Sequence, residues 1–241
     1  FKYSIPLDNP FYNSNVSRNE ILHSGLRNPW KFSINNNKIY IPDVGSDKWE
    51  ELNIKENKKN HLFFGFPFYE GFQKYKHSDN FENYDNLLNT NPLIAYPHSE
   101  TNGCSIIGGT LYEGNKFPEL INSYIFGDIC HTNIFALKKI NNEVNIQKIY
   151  ETNDPPTFID KDESNNILIL TQYGNLEKII KPKIDKNNWI NANYYFLENL
   201  YNDLNKISEK TEQRFKNSYR WKIGNFIMNI MDTLRITDIF K

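Results

Sequence analysis

Cysteine is scarce in this chain, two among 241 residues, and no Cys-His pattern accompanies them, which argues against a structural zinc module. Long apolar runs are missing as well: no stretch of about 18 or more apolar residues occurs, so no transmembrane helix is predicted. Neither charge sign is in excess. Lys+Arg number 28 and Asp+Glu 29, a formal net charge of −1, and that balance supplies no broad electrostatic footprint for nucleic acid. An initiator Met and a signal-like stretch are also lacking at Phe1, from which a fragment of a larger protein is expected. What the chain does have is core material. Hydrophobic residues make up 39% and aromatics 15%, unlike a disordered segment and enough for one large domain or one domain with an appendage. Asn, Lys and Ile are abundant, which reads as compositional bias and carries no function.

From about Arg27 to Ile180 the chain reads as short apolar runs closed by polar or Gly turns. Lys38-Ile39-Tyr40-Ile41 runs into Pro42-Asp43-Val44-Gly45, Ser123-Tyr124-Ile125-Phe126 into Gly127-Asp128, and Asn166-Ile167-Leu168-Ile169-Leu170 into Thr171-Gln172-Tyr173-Gly174. A recurring strand-then-turn unit suggests propeller blades, although a sandwich fits the same repeats. Four strands can be drafted near 105–112, 122–128, 132–139 and 144–150, a partial blade near 156–180, and one or more blades near 20–70. At roughly 40–50 residues per blade this is about half of a six-bladed ring. Half a ring leaves open sheet edges that should aggregate or recruit a partner. Residues 71–92 read as a long surface loop.

The chemistry concentrates in Gly25-Leu26-Arg27-Asn28-Pro29-Trp30 and in Pro42-Asp43-Val44-Gly45 with Trp49-Glu50-Glu51. An Arg offers a planar fork to carboxylates, while Asn both donates and accepts, so Arg27 and Asn28 suit an anion rich in carbonyl and carboxylate groups. The acidic Gly turn offers oxygen ligands of the kind a hard cation prefers. The bland alternatives are a salt-bridged Arg, a turn Asn before Pro29, and a solvated Glu50–Glu51 pair.

These runs, together with Ile5-Pro6-Leu7-Asp8-Asn9-Pro10-Phe11, Tyr96-Pro97-His98-Ser99, Gly103-Cys104-Ser105, Gly108-Gly109 and Phe126-Gly127-Asp128-Ile129-Cys130, resemble the glucose/sorbosone dehydrogenase family. These are soluble aldose dehydrogenases dependent on pyrroloquinoline quinone (PQQ), and the resemblance runs from about Ser4 to about Ile180. It implies an all-β, six-bladed β-propeller, its C-terminal half over residues 1–182, followed by a helical tail over 183–241. It implies cofactor contacts from Arg27 and Asn28, a Ca²⁺ on the carbonyls of Gly45 and Ser46, and a second Ca²⁺ using Glu51 and the carbonyl of Phe64. It implies oxidation of aldose sugars at C1, with electrons passed to an external acceptor. The catalytic His of the family lies before Phe1, and none of His23, His61, His77, His98 and His131 matches it; His98 reads as structuring its loop.

Cys104 and Cys130 fall where many members carry cysteine, which implies a disulfide and a periplasmic or secreted protein. Departures stand beside these matches. Some members clasp the cofactor with a Lys and two Arg, and the aligned positions here are Cys130, Asp154 and Pro156. Vertebrate hedgehog-interacting proteins resemble the same family and act as binding modules, so the alternative is a non-catalytic propeller that binds carbohydrate or protein.

Beyond Lys181-Pro182, Leu197, Leu200, Tyr201, Leu204 and Ile207 recur at helical spacing, and Phe226, Ile227, Ile230, Met231 and Leu234 repeat it. A helical pair that packs on the propeller or self-associates is expected. Asn217 to Gly224 faintly resembles the helical linkers beside some bacterial glycosyltransferase domains.

Overall fold

The computed structural model describes residues 3–58, 60–75 and 89–218. Most of the predicted surface loop and the second apolar run of the tail lie outside the described residues. Three antiparallel sheets follow one another along the chain, with short β1 (Ser33–Asn35), β2 (Lys38–Asp43) and β3 (Trp49–Glu56) opening the first. A small hairpin of β4 (Tyr69–Glu70) and β5 (Gln73–Lys74) intervenes before β6 (Ile94–Pro97) joins the first sheet beside β3. The second sheet is built from β7 (Ile106–Leu111), β8 (Tyr124–Asp128), β9 (Asn133–Ile140) and β10 (Glu143–Glu151). The third comprises β11 (Pro156–Lys161), β12 (Ile167–Thr171) and β13 (Leu176–Lys178). A last short strand, β14 (Ile190–Asn191), returns to the outer edge of β10.

Asparagine supplies the turns. Asn36 and Asn37 (φ 48° and 55°) join β1 to β2, and Asn141 and Asn142 (φ 51° and 66°) join β9 to β10. Two consecutive residues at positive φ match the right-handed twist of the flanking strands, and Asn tolerates that conformation better than most residues.

The pleat then sorts the core. On β8 and β9, Tyr124, Phe126, Phe135 and Leu137 point one way, into a cluster with Tyr40, Leu52, Ile94 and Tyr96 of the first sheet. Ile125, Ile134 and Ala136 point the other way, against Ile159, Ile167 and Ile169 of the third. A strand buried on both faces needs an unbroken apolar run rather than an alternating one, and these strands have it. Face-packed sheets of consecutive antiparallel strands make a partial β-propeller.

The helix α1 (Ala192–Asn217) begins directly after β14, with the Asn191 Oδ1 accepting from the N–H groups of Asn193 and Tyr194 as an N-cap. Phe196 stacks on Tyr96 at 4.7 Å, and its carbonyl accepts from Asn102 Nδ2 at 2.9 Å. The compact unit containing the sheets extends to Asn199, and residues from Leu200 onward form a second unit. In that second unit Tyr201, Leu204 and Ile207 are exposed, as is Leu197 before it. The amphipathic spacing produced the expected helix, but the residues buried at its start are Ala192 and Phe196. Among the described residues no helix is long and apolar enough to cross a membrane.

Candidate functional site

β2 ends on Asp43, a buried carboxylate that fixes the Arg27-Asn28 segment. Its Oδ2 accepts from the Arg27 N–H at 2.8 Å and its Oδ1 from the Asn28 N–H at 2.6 Å, while the Val44 N–H returns to the Asn28 carbonyl at 3.2 Å. Burial raises the Asp43 pKa, and the two backbone donors work against that rise. The Arg27 side chain is exposed and donates from Nη1 to the carbonyls of Val44 (3.1 Å) and Gly45 (2.7 Å). Two carbonyls thereby pin one edge of the guanidinium, and the planar fork still has Nε and Nη2 hydrogens to offer an anion. Asn28 is exposed beside it. The fold places Arg27 and Asn28 beside the Val44-Gly45 turn.

The turn after Gly45 is organised by an acid the sequence reading passed over. Glu70 Oε1 receives the N–H groups of Ser46, Asp47, Lys48 and Trp49, at 2.7, 2.8, 3.1 and 3.3 Å. Four donors on one carboxylate oxygen form an anion nest filled by the protein's own side chain. Gly45 is needed at this turn, since a Cβ there would stand 1.7 Å from the Trp49 carbonyl oxygen. Ser46 takes its hydroxyl contact from Tyr75 at 2.9 Å.

Glu50 and Glu51 are both buried rather than solvated. Glu50 accepts from the Gly45 and Ile106 N–H groups at 3.3 and 2.9 Å and pairs with His98 Nε2 at 2.6 Å, so it ties β3 to β7 and to the loop before it. Burial raises the Glu50 pKa, while the Glu50 hydrogen bond raises that of His98. His98 therefore sits where its loop reading placed it. Glu51 Oε1 accepts from the Gly71 N–H at 2.6 Å and Oε2 from Asn53 Nδ2 at 3.3 Å. Its pKa is raised to about 7, chiefly by burial, with Asp43 and Glu70 adding like-charge repulsion. Phe64 is buried beside Ile39 and Ile41, on the loop that follows β3.

Cys104 and Cys130 are joined in a disulfide, with their Cα atoms 5.7 Å apart. Asp128 lies between the two segments it links, accepting from the Cys104 and Cys130 N–H groups at 3.1 and 2.8 Å, and from the Ser105 N–H and Tyr96 hydroxyl at 2.9 and 2.7 Å. Gly103, at φ +106°, leaves room for that carboxylate; a Cβ would lie 2.4 Å from its Cγ. Cys104, Asp128 and Cys130 are the one group of three potential metal-ligating side chains among the described residues, and disulfide sulfurs are not thiolate ligands. Asp154 accepts from Asn175 Nδ2 at 2.8 Å, and Pro156 is buried. The positions aligned with the family's cofactor-clasping cations thus carry no positive charge.

The arrangement fits an anion at Arg27 and Asn28, because the guanidinium is held from behind and faces outward. A calcium ion on the carbonyls of Gly45 and Ser46 would have to share the Gly45 oxygen with the Arg27 guanidinium.

The family model for glucose/sorbosone dehydrogenase matches residues 2–181. Among curated proteins, the HIPL2 protein of Arabidopsis thaliana is 36% identical over 136 residues, 53% of this chain and 19% of its own length. The HIPL1 protein of the same plant is 30% identical over 144 residues, 56% of this chain and 20% of its own. The chain therefore spans about a fifth of the length of these relatives. Among solved structures, the soluble aldose sugar dehydrogenase of Escherichia coli superposes with a TM-score of 0.57 at 19% identity, covering 72% of this chain and 50% of that one. A glucose dehydrogenase gives 0.57 at 20%, covering 73% and 51%. At those identities the likeness speaks for the fold. With 180 consecutive residues matched by the family model, the chain belongs to the glucose/sorbosone dehydrogenase family.

Proposed function

We propose that the whole polypeptide is a PQQ-dependent dehydrogenase of aldose sugars, and that the sheets described here form half of a six-bladed ring. The observation that carries this reading is the Arg27 guanidinium, anchored on the Val44 and Gly45 carbonyls and turned outward beside Asn28 at the end of the first sheet. When bound, the cofactor would accept hydride from C1 of the sugar. The residues of this chain would bind and orient it: Arg27 by paired N–H donation to carboxylate, Asn28 by donation and acceptance at carbonyl edges. Asp43 would hold both residues in register through their backbone N–H groups. No proton transfer falls to this chain's histidines in this scheme; His98 is spent on Glu50.

A divalent cation at Glu51 belongs to the same proposal. Asp43 and Glu70 both raise the Glu51 pKa, so a cation there, completed by backbone oxygens such as that of Phe64, would offset their repulsion. The electron acceptor is external. The Cys104–Cys130 bridge supports a periplasmic or secreted location, because such bonds persist in oxidising compartments. The tail helix, with Leu204 and Ile207 exposed, supports self-association.

One observation favours a second reading. Cys130 is spent in the disulfide, Asp154 is acidic and Pro156 has no donor, so the positions aligned with the family's cofactor-clasping cations offer none to a polyanionic cofactor. A propeller that binds carbohydrate or protein without catalysis fits that loss. The deciding experiment is aldose oxidation by the full-length polypeptide, supplied with PQQ and Ca²⁺ and read with a dye acceptor. Turnover that requires PQQ supports the dehydrogenase; no turnover with any aldose overturns it and leaves the binding module.

A further inference from the structure

A stapled loop lies ahead of the first sheet. Asn9 closes its base, with Nδ2 donating to the carbonyls of Asn19 and Ile21 at 2.5 and 2.8 Å. From that base the chain climbs through two turns, the Tyr12 N–H on the Asn9 carbonyl and the Ser14 N–H on the Phe11 carbonyl, both at 2.9 Å. Asn13, at φ 64°, reverses it, and Asn15, Val16 and Ser17 stand at the tip. The Ser14 hydroxyl accepts from the Val16 and Ser17 N–H groups at 3.2 and 3.0 Å. Among the described residues, the tip residues make no bond between main-chain amide and carbonyl. Asn15 is exposed and Val16 is 93% exposed. The Asn15 side-chain amide and the Ser17 hydroxyl make no hydrogen bond among the described residues.

We propose that Asn15 is the acceptor of an N-linked glycan. The chain holds thirty-seven asparagines, and Asn15-Val16-Ser17 is its single Asn-x-Ser/Thr triplet, so a glycan of this type on the chain is assigned to one residue. Such a triplet recurs by chance, and the geometry carries the inference. A transferase must draw the acceptor into its own cleft, and a tip outside every main-chain ladder can be drawn in at little cost. An amide or hydroxyl already bonded inside the protein would have to give up that partner, and neither has one here. Bulk added at so exposed a tip displaces no packed side chain. The co-reactant is an oligosaccharide linked to a lipid diphosphate. Asn15 Nδ2 forms a bond to the anomeric carbon, the bond from that carbon to the diphosphate oxygen breaks, the lipid diphosphate leaves with the electron pair, and the amide gives up one proton. Ser17 supplies the hydroxyl by which the transferase recognises the triplet. The proposal rests on the exported reading, which the Cys104–Cys130 bridge supports, and narrows it to a secretory route that carries this donor.

The test is tandem mass spectrometry of the full polypeptide isolated from the cells that make it, digested with trypsin without reduction. Residues 3–18 form one tryptic peptide, since no Lys or Arg lies between Lys2 and Arg18. That peptide is expected to carry a glycan on Asn15 in most molecules. Release by a glycan amidase in heavy-oxygen water should leave an aspartate bearing one heavy oxygen at that position and none at Asn9 or Asn13. In the same cells Asn15→Gln and Ser17→Ala should each lose the glycan, and Ser17→Thr should keep it. The wild-type peptide alone decides the matter if a variant fails to accumulate. An unmodified Asn15 in chains whose Cys104–Cys130 bridge is closed overturns this proposal and leaves the exported reading standing. An unmodified Asn15 beside free thiols overturns both. A glycan that survives Asn15→Gln also overturns the assignment.

Discussion

The second and third sheets are built from the same kind of residue and meet different fates. β8 and β9 bury both faces, aromatic side chains toward the first sheet and isoleucines toward the third. β11, β12 and β13 bury one. Ile159, Ile167 and Ile169 sit on the second sheet, while Phe158, Leu170 and Leu176 on the other face are 44%, 41% and 69% exposed. Those three are cross-strand neighbours, Phe158 opposite Leu170 and Leu170 opposite Leu176, so they form one apolar row. Lys31, reaching over from the segment before β1, covers part of it, with its ammonium 3.9 Å above the Phe158 ring and 2.9 Å from Asp160. The difference teaches that an unbroken apolar strand specifies two packed faces without specifying what packs on them. An exposed row of this composition is the kind of face one blade offers another.

The sharpest way to break the comparison is to cut matching side chains from the two sheets. Ile134→Ala, in the doubly covered sheet, should cost about 2–5 kcal/mol by lost burial and an unfilled cavity. Leu176→Ser, on the open face, should stay within about 0.5 kcal/mol. Urea unfolding of the chain measures both. Equal costs would mean that the Leu176 face is covered in solution.

A second comparison sets the buried acids against each other. Asp128 is matched by four donors, so Asp128→Asn, which turns an amide N–H toward them, should cost about 3 kcal/mol. Reducing the neighbouring disulfide should cost about 3 kcal/mol or less, through the freedom returned to the unfolded chain. Thermal melts with and without reductant separate the two.

Glu51 is the opposite case, an acid with too few donors. Below the ordinary Glu range both folded and unfolded chains hold its proton. Between there and about 7 the unfolded chain releases it while the folded chain retains it. Stability from this group therefore falls as pH rises through that window and stays low above it, by roughly 3 kcal/mol in all. Glu51→Gln should flatten that fall and stabilise the chain at pH 8, because a Gln amide can donate to Asn53 Oδ1, which has no partner. Unfolding measured at pH 5 and pH 8 checks the sign. If Glu51 ligates a cation, millimolar Ca²⁺ should remove the pH dependence in the wild type and do nothing in the variant.

Much of this architecture was legible in the residues. Strands drafted near 122–128 and 132–139 are Tyr124–Asp128 and Asn133–Ile140, because apolar runs bounded by turn signals leave little choice. The Arg27-to-Gly45 contact was not legible: the family resemblance assigns Arg27 to a cofactor and the Gly45 carbonyl to a cation, and a side chain reaching a backbone carbonyl 18 residues on leaves no local pattern. The abundant asparagines read as bias, yet Asn36-Asn37 and Asn141-Asn142 are hairpin turns, and the doubled Asn was the available signal. Sequence leaves Glu50 open to a solvated reading, since its burial depends on Ile106 and His98, which are distant in the sequence. The Glu70 nest was invisible for a similar reason: its four donors are backbone groups, which carry no residue signature. Leu197, Tyr201, Leu204 and Ile207 marked a helix correctly by spacing, but spacing alone says nothing of a partner, and all four are exposed.

The most direct test of the central reading is calorimetric titration of the full polypeptide with PQQ, wild type beside Arg27→Ala. Saturable binding that weakens at least tenfold without the guanidinium is the predicted result. Absence of binding, or equal binding by both proteins, would contradict it and make Arg27 a brace for the Gly45 turn.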